Sequence, residues 1–558
     1  MPSTRGVDDE ASAGSEDVAV GISQRLKPLL TGIAGAAGMI AVITVLSRAV
    51  GFVRWFVQSA TLGDSATANA YSTANMLPNV LFEVAAGGAL AGVVIPLLAA
   101  PLARGVRRDV DRISGALVGW TLLVLVPLGA LVAIFAAPIA ALLPDSVGSD
   151  IVIQHELATY FLRVFAVQIP LYGIGVVLTG ILQAQRRFFF PAIAPLASSC
   201  VVIVAYLGFG MLSGGNADNP AQLAGAALHW LAWGTTLGVA AMSLPLLVPV
   251  LRSGVRLRPT LRLPPGVGRR ALALAGAGLG ALLAQQLSVV VFIFLARAGG
   301  VEGTITIWQY AQAVYFLPYA VLAVPVATAV FPRLAEHAQR DPRRFTSLAA
   351  TSTRLVLVAS VVGGALLVAA APAATAVFSL RGEMAGMTEA IVYLAPGVAG
   401  FALIFHVSRA LYALDEGRSA VLATASGWLA ASGAALLGVR WLAPDGGDGP
   451  ATLRALAAAT TLGMTLAGLA LLLALRRAAG PRVLRGLGRT LLAAGGGGVL
   501  GALLGRLLVR AVLAATDASL AGGLVAAALG SAVAAALTVG VVWVADRSVL
   551  PGSRAAQP

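Results

Sequence analysis

Arginine, glutamine, asparagine and glutamate recur at helical spacing inside stretches that are otherwise apolar, and those are the positions where this chain could do chemistry. Ser47, Gly51, Arg54 and Gln58 fall within about 60° of one another at 100° per residue, with Arg48 at the edge of the stripe. Ser72, Asn75, Asn79 and Glu83 form a second stripe, interrupted by Pro78, and Gln309, Gln312, Tyr315 and Tyr319 form a third. Gln285 and Ser288 add polar groups to the run before it. A charged side chain at mid-bilayer costs about 2.5–3.5 kcal/mol, so such residues face a bundle interior or a watery cavity. Two arginines there suit an anion, and hydroxyls and amides beside them supply neutral donors. The same residues also admit a purely structural use. Arg48 and Glu83 could lock two helices as an ion pair, Arg54 could snorkel to an interface, and the amides could bridge helices. We expect Glu83 to pair with Arg48, leaving Arg54 as the main anion contact.

No grouping of His, Asp or Glu has metal-ligand spacing, Cys200 is the only cysteine, and no phosphate loop, nucleophile elbow or metalloprotease pattern appears. The sequence therefore carries no enzyme chemistry and calls for no cofactor.

The elements that must position these residues are membrane helices. The 558 residues are 58% hydrophobic and 11% charged, with a mean hydropathy of +0.88; soluble domains carry about 25% charged residues. Fourteen apolar runs, from about 32–59 to 518–545, reach the roughly 20 residues that a crossing helix needs. The reading is an all-α polytopic membrane protein. The net charge is +14, nearly all of it from Arg, since Lys27 is the only lysine. These arginines sit in short loops, which indicates topology control and contact with anionic lipid rather than nucleic acid. Loops after even-numbered runs carry clusters such as Arg104, Arg107, Arg108 and Arg112, or Arg252, Arg256, Arg258, Arg262, Arg269 and Arg270. Odd-numbered loops carry acids such as Asp64, Asp145, Asp150, Asp218, Asp445 and Asp448. The positive-inside rule then places both termini in the cytoplasm of a bacterial plasma membrane.

An internal repeat organises the runs. Leu46-Ser47, Leu77-Pro78 and Val94-Ile95-Pro96 return as Leu287-Ser288, Leu317-Pro318 and Val330-Phe331-Pro332, about 240 residues later. Pro170 with Leu182-Gln183-Ala184 returns, at a slightly shorter offset, as Pro396 with Leu411-Tyr412-Ala413. Six helices per unit is an even number, so the two units run parallel, an arrangement that builds transporters with a site between the halves. The expected layout is a disordered cytoplasmic tail over 1–28, an N-lobe over 29–251, a basic cytoplasmic loop over 252–270 and a C-lobe over 271–477. Two extra helices follow over 478–547, and a second tail over 548–558.

The segment Leu46-Ser47-Arg48-Ala49-Val50-Gly51-Phe52-Val53-Arg54 resembles the opening motif of the MurJ (also called MviN) family. Leu77-Pro78-Asn79-Val80-Leu81, Gly88-Ala89-Leu90 and Ile95-Pro96-Leu97-Leu98 are similar to its second helix. Gly180-Ile181-Leu182-Gln183-Ala184 with Pro191 is similar to its fourth-to-fifth helix junction, and Leu317-Pro318 through Phe331-Pro332-Arg333-Leu334 to its eighth helix. The resemblance covers about residues 35–545. It implies the multidrug/oligosaccharidyl-lipid/polysaccharide exporter fold, and export of lipid II, the undecaprenyl-pyrophosphate-linked peptidoglycan precursor, by alternating access of two lobes. It also implies that cavity arginines hold the pyrophosphate end, that a groove by the last two helices takes the tail, and that cell-wall synthesis proteins are possible partners. Arg48 and Arg54 match the family's two helix-1 arginines. Elsewhere the chain departs: the family's helix-2 acid falls on Asn69, its helix-2 arginine pair on Phe82 and Glu83, its helix-2 glutamate on Gly87, and its helix-8 acid–arginine pair on Gln312 and Ala313. The cavity is accordingly less cationic than the family's. Three alternatives stay open beside lipid II export: another polyprenyl-linked glycan, a transport-inactive assembly partner, and a cation antiporter using Glu83.

Overall fold

In the computed structural model, which describes residues 39, 42–84, 91–148, 150–264, 266–516 and 519–549, the chain is helical nearly throughout. The expected tail over 1–28, the start of the first run and residues 550–558 lie outside the described residues. The helices are α1 (residues 42–62), α2 (Ala66–Phe82), α3 (Ala91–Ala103), α4 (Arg107–Ile134), α5 (Ala136–Ala141), α6 (Ile151–Phe165), α7 (Gln168–Ala184), α8 (Phe189–Leu212), α9 (Gly225–Ser243) and α10 (Leu247–Arg252). After the connecting segment come α11 (Val267–Gly299), α12 (Thr304–Pro318), α13 (Val324–Arg340), α14 (Pro342–Phe378), α15 (Met387–Leu394), α16 (Gly397–Ala413), α17 (Gly417–Leu442), α18 (Gly449–Ala479), α19 (Leu487–Ala515) and α20 (Leu520–Ala545). Among the described residues, 11 helices are long and apolar enough to cross a membrane, or 12 if the bent pair α15–α16 is one span. The first two expected runs correspond to α1 and to the interrupted pair α2–α3.

The interruptions have a sequence cause. Proline removes a backbone donor and clashes with the preceding turn. Pro78 precedes a wide π turn at Glu83–Val84. Pro318 and Pro325 bracket a π turn over Tyr319–Ala323 between α12 and α13. The chain breaks before Pro170 between α6 and α7, and Pro396 separates α15 from α16 with a 45° bend. Pro78 with Pro318, and Pro170 with Pro396, are paired by the internal repeat, so these helices break at corresponding places in each unit; the third pair, Pro96 and Pro332, lies inside the continuous helices α3 and α13.

Buried apolar clusters divide at the connecting segment. Some are built from residues 57–271 and the others from residue 289 onward, with Phe52, Trp55, Phe56, Met76 and Leu143 crossing the divide. The connecting segment itself lies along α4. The Thr260 N–H donates to the Gly115 carbonyl at 3.2 Å, the Arg256 N–H donates to Asp111 at 2.9 Å, and the Trp120 indole donates to the Leu261 carbonyl at 3.2 Å. A Cβ on Gly115 or on Gly119 would stand 2.3 Å from a carbonyl oxygen of the strap, so only glycine admits it there. Beyond the repeat, α19 and α20 pack on α14 and on each other, with Gly501 and Gly505 against Ala534 and Gly530, the small-residue contact that membrane helices favour.

Candidate functional site

One end of the bundle carries the acidic and neutral loops, the other the basic ones. At the acidic end the two halves are laced together. The Tyr310 hydroxyl donates to the Gly63 carbonyl at 2.9 Å, Ser59 to the Phe378 carbonyl, and Gln309 Nε2 to the Ser72 carbonyl at 3.3 Å. Thr306 Oγ1 meets Ser72 Oγ at 3.2 Å. Arg297, only 3% exposed, donates to the Pro144 carbonyl at 2.7 Å and to Thr73 at 3.3 Å. Arg381 donates to the Gly215 carbonyl at 2.7 Å. Gly303 (φ +88°) lets this closure come tight: a Cβ there would lie 2.4 Å from the Asp64 carbonyl.

Carboxylates stand in the same seam. Burial pushes the Asp64 carboxyl above its ordinary value; a backbone hydrogen bond opposes this, and Asp218 and Glu383 add to it. Burial likewise raises Glu302, with Asp218 adding to the shift while Gln154 and Arg297 oppose it. The acid cluster thus holds protons more readily when the seam is shut.

Beneath the seam the expected site residues separate. Arg48 and Arg54 are six residues apart, hence about 120° apart around the helix, and they serve different neighbourhoods. Arg54 is half-buried over the Trp55 ring at 5.1 Å, and its charge reaches Tyr71, Tyr172 and Tyr206 in the first half. Its Nε is buried without a partner. Gln58 accepts from the Tyr206 hydroxyl at 3.0 Å, and Tyr206 meets Tyr71 at 2.9 Å. Ser47 is half-buried nearby on α1, and Arg48 is exposed. Asn75 and Asn79 are half-buried on α2, the Asn79 amide donating to the Asn75 carbonyl at 2.9 Å.

The expected Arg48–Glu83 ion pair is not formed. Glu83 is exposed in the π turn and has no ion-pair partner among the described residues. Phe82 beside it stacks on Tyr172 with ring centroids 4.4 Å apart, which fixes that turn against the first half.

Gln309 is engaged in the seam. Gln312 lines a cavity of about 170 Å³ in the second half, with Gln285, Ser288, Tyr315, Trp428 and Thr460, closed on one side by Met76 of α2. The Tyr315 hydroxyl there is buried without a partner. Reasoning from sequence missed the seam arginines Arg297 and Arg381, and set Arg409 aside. Their signal is an arginine at the very end of an apolar run, or one turn inside it.

A family model described as "Lipid II flippase MurJ" matches residues 58–495, most of the chain. The chain belongs to the MurJ family. Its relatives include a probable lipid II flippase MurJ of Rhizobium meliloti, 29% identical over 300 residues, covering 52% of this chain and 53% of that one. Another is a lipid II flippase MurJ of Burkholderia cenocepacia, 25% identical over 317 residues, covering 55% and 58%. These alignments span about half the length of the curated relatives. Among solved structures, a lipid II flippase MurJ in an inward closed conformation superposes with a TM-score of 0.67 at 18% identity, covering 92% of this chain and 99% of that one. An inward-facing multidrug resistance MATE family transporter of the MOP superfamily reaches 0.61 at 16% identity, covering 79% and 94%. The fold of this polytopic membrane protein is therefore the MurJ and MATE fold, in agreement with the architecture that the MurJ-like motifs implied.

Proposed function

We propose that this protein is a flippase that carries lipid II, or a closely similar polyprenyl-diphosphate glycan, from the inner to the outer leaflet of a bacterial plasma membrane by alternating access. The observation that carries the reading is the asymmetry of the central seam in a member of the MurJ family: hydrogen bonds lace it shut at the acidic end, while Arg48 and Arg54 stand below without carboxylate partners among the described residues. In this reading the basic end and both termini are cytoplasmic, residues 29–251 and 271–477 act as the two lobes, and the cargo enters from the cytoplasmic leaflet.

An anion entering there meets the exposed Arg48 and then the half-buried Arg54, and a charge-assisted hydrogen bond to either contributes about 1.5–3 kcal/mol. Ser47, Gln58, Asn75, Asn79 and Gln312 supply neutral donors and acceptors for the glycan, and Gln309 joins them once the seam opens. Glu83, unpaired, limits how much negative charge can sit by α2. The exposed faces of α19 and α20 accommodate the polyprenyl tail. Cell-wall synthesis proteins are the partners this reading implies.

Complementation of a strain depleted of its own flippase tests the proposal. We expect the wild-type chain to restore growth, and Arg54→Ala to abolish rescue at unchanged protein level. If the chain fails to rescue yet binds another polyprenyl-linked glycan in native mass spectrometry, its cargo is that glycan. If it binds none, the transport reading is wrong.

A further inference from the structure

The cavity of about 170 Å³ in the second half is lined by one stripe from each of two helices. Gln285, Ser288 and Phe292 recur at the spacing of one face of α11, and Trp308, Gln312 and Tyr315 at that of one face of α12. Trp428 of α17 and Thr460 of α18 stand opposite in the chain but line the same space. Ring contacts fix the walls. Trp308, only 1% exposed, meets Phe292 edge-on with centroids 5.7 Å apart, and Tyr315 meets Phe316 in the same way at 5.1 Å.

The polar groups of the lining are of two kinds. Ser288 and Thr460 are engaged: the Ser288 hydroxyl lies 2.7 Å from both Ser432 Oγ and the Trp428 carbonyl, and Thr460 donates to the Leu456 carbonyl at 2.8 Å. Gln285 and Gln312 make no side-chain hydrogen bond among the described residues. The Tyr315 hydroxyl, on a residue 2% exposed, is buried without a partner. An unpaired buried hydroxyl is costly, and three idle groups around one cavity call for a ligand that completes them.

The lining also selects the ligand. It carries no charged side chain among the described residues, so an ion would lose its hydration there without gaining a counter-charge. A purely apolar ring would leave two amides and a hydroxyl unpaired. A sugar ring meets both demands. Its hydroxyls donate and accept, as the glutamine amides do, and its C–H faces suit aromatic walls. Size narrows the choice further: a cavity of about 150 Å³ holds one benzene ring, so this one admits a single six-membered ring.

We propose that this cavity is a subsite for one neutral pyranose of the cargo glycan, with Gln285, Gln312 and Tyr315 bonding to its hydroxyl or acetamido groups. This rests on the flippase reading and places recognition of the sugar in the second half, separate from the Arg54 and Gln58 group in the first. Met76 of α2 closes the remaining side of the cavity, so a ring held there touches both halves. The sugar thereby favours the arrangement of the halves that keeps Met76 in place.

The test uses the full-length protein in nanodiscs, titrated with undecaprenyl diphosphate and with the same lipid bearing a single N-acetylglucosamine. We expect the wild type to bind the glycosylated lipid at least tenfold more tightly than the bare one. Tyr315→Phe and Gln285→Ala should each reduce that advantage about threefold to tenfold, with the bare lipid bound as before. Tyr315→Phe should also leave the unfolding temperature of the ligand-free protein unchanged or raised, because it removes an unpaired group. A lowered temperature would give the hydroxyl a structural partner and overturn its role as a ligand. Equal wild-type affinity for the two lipids overturns the subsite and leaves the flippase reading standing, as does an advantage that survives both substitutions. An equal loss for both lipids in the variants shows a general disturbance and overturns it as well. Loss of the advantage in the presence of tetramethylammonium assigns the aromatic walls to an organic cation instead. If the wild type binds neither lipid, the subsite and the flippase reading fall together.

Discussion

The acidic-end seam and the basic-end vestibule use the same residue types to opposite ends. In the seam, Arg297 and Arg381 donate to backbone carbonyls and Gln309 to another, so these side chains find partners across the two halves, the Arg381 Nε alone among their donors being buried without one. At the basic end, Arg48 and Arg409 meet no carboxylate among the described residues, and Arg409 is steadied by rings. A buried polar group that has found its partners is structure; one that has not is a request for a ligand. The difference lies in partners, not in composition.

The largest effect should come from a third class of arginine at the basic end, one that is fully paired. Arg354 Nη2 donates to both oxygens of Asp546 at 2.7 Å, and its Nε to Thr490 at 2.7 Å, pinning α14 to α19 and to the end of α20. Breaking a buried pair costs about 3–5 kcal/mol, so Arg354→Ala should lower the unfolding temperature sharply in detergent, whereas Arg409→Ala should barely move it. Burial alone would raise the Asp546 carboxyl, but the bonds from Thr490, Arg354 and Ser548 outweigh that and hold it low. Its contribution is therefore present above the ordinary value of 3.8 and fades as pH falls through the depressed one. If Arg354→Ala and Arg409→Ala destabilise equally, the distinction between paired and unpaired arginines collapses.

A smaller effect is expected in the seam. Arg297→Ala removes two hydrogen bonds from a charged donor, each worth about 1.5–3 kcal/mol, and should bias the molecule toward opening at the acidic end. In a Cys200→Ser background, a cysteine introduced by Asn75→Cys should then be labelled several-fold faster by a membrane-impermeant maleimide added on the acidic side. Unchanged labelling would mean that the remaining seam bonds suffice.

The smallest effect concerns pH. Asp64 and Glu302 are held above their ordinary values in the closed seam. Their protonated forms therefore favour closure, and that contribution is full at low pH and lost as pH rises through the raised values. After division by the rate of the unfolded protein at the same pH, which removes the thiol's own loss of thiolate, acidifying the acidic side should slow labelling of the same cysteine a few-fold, and Asp64→Asn with Glu302→Gln should flatten that remaining dependence. A pH dependence that survives both substitutions would assign it to other groups.

Much of this was legible in the sequence. Hydropathy and loop charge gave membrane helices, and two of the three proline pairs of the repeat, Pro78 with Pro318 and Pro170 with Pro396, mark where helices break. The helix-1 stripe placed Arg48 at its edge, beside Arg54 and Gln58; in the structure Arg48 is exposed and Arg54 half-buried. What could not be read was rotation about the helix axis relative to a distant partner: Glu83 and Arg48 have complementary charge, but the turn after Pro78 and the Phe82–Tyr172 stack turn them apart. Arg409 was visible only as a charge in an apolar run, because groups that hold it, Phe331 and Thr328, lie about 80 residues away in the chain.

The seam has an uneven genetic signature built into it. Its donors are side chains, on Ser59, Arg297, Tyr310, Gln309 and Arg381, whereas its acceptors are mostly main-chain carbonyls, at Phe378, Pro144, Gly63, Ser72 and Gly215. A carbonyl survives nearly any substitution of its own residue. In a saturation screen, donor positions should tolerate little, while acceptor positions drift freely unless conformation forbids it, as at Gly63 and Gly215 with their positive φ. Variation among natural sequences at Phe378 or Pro144 would then be no sign that the lock has been lost.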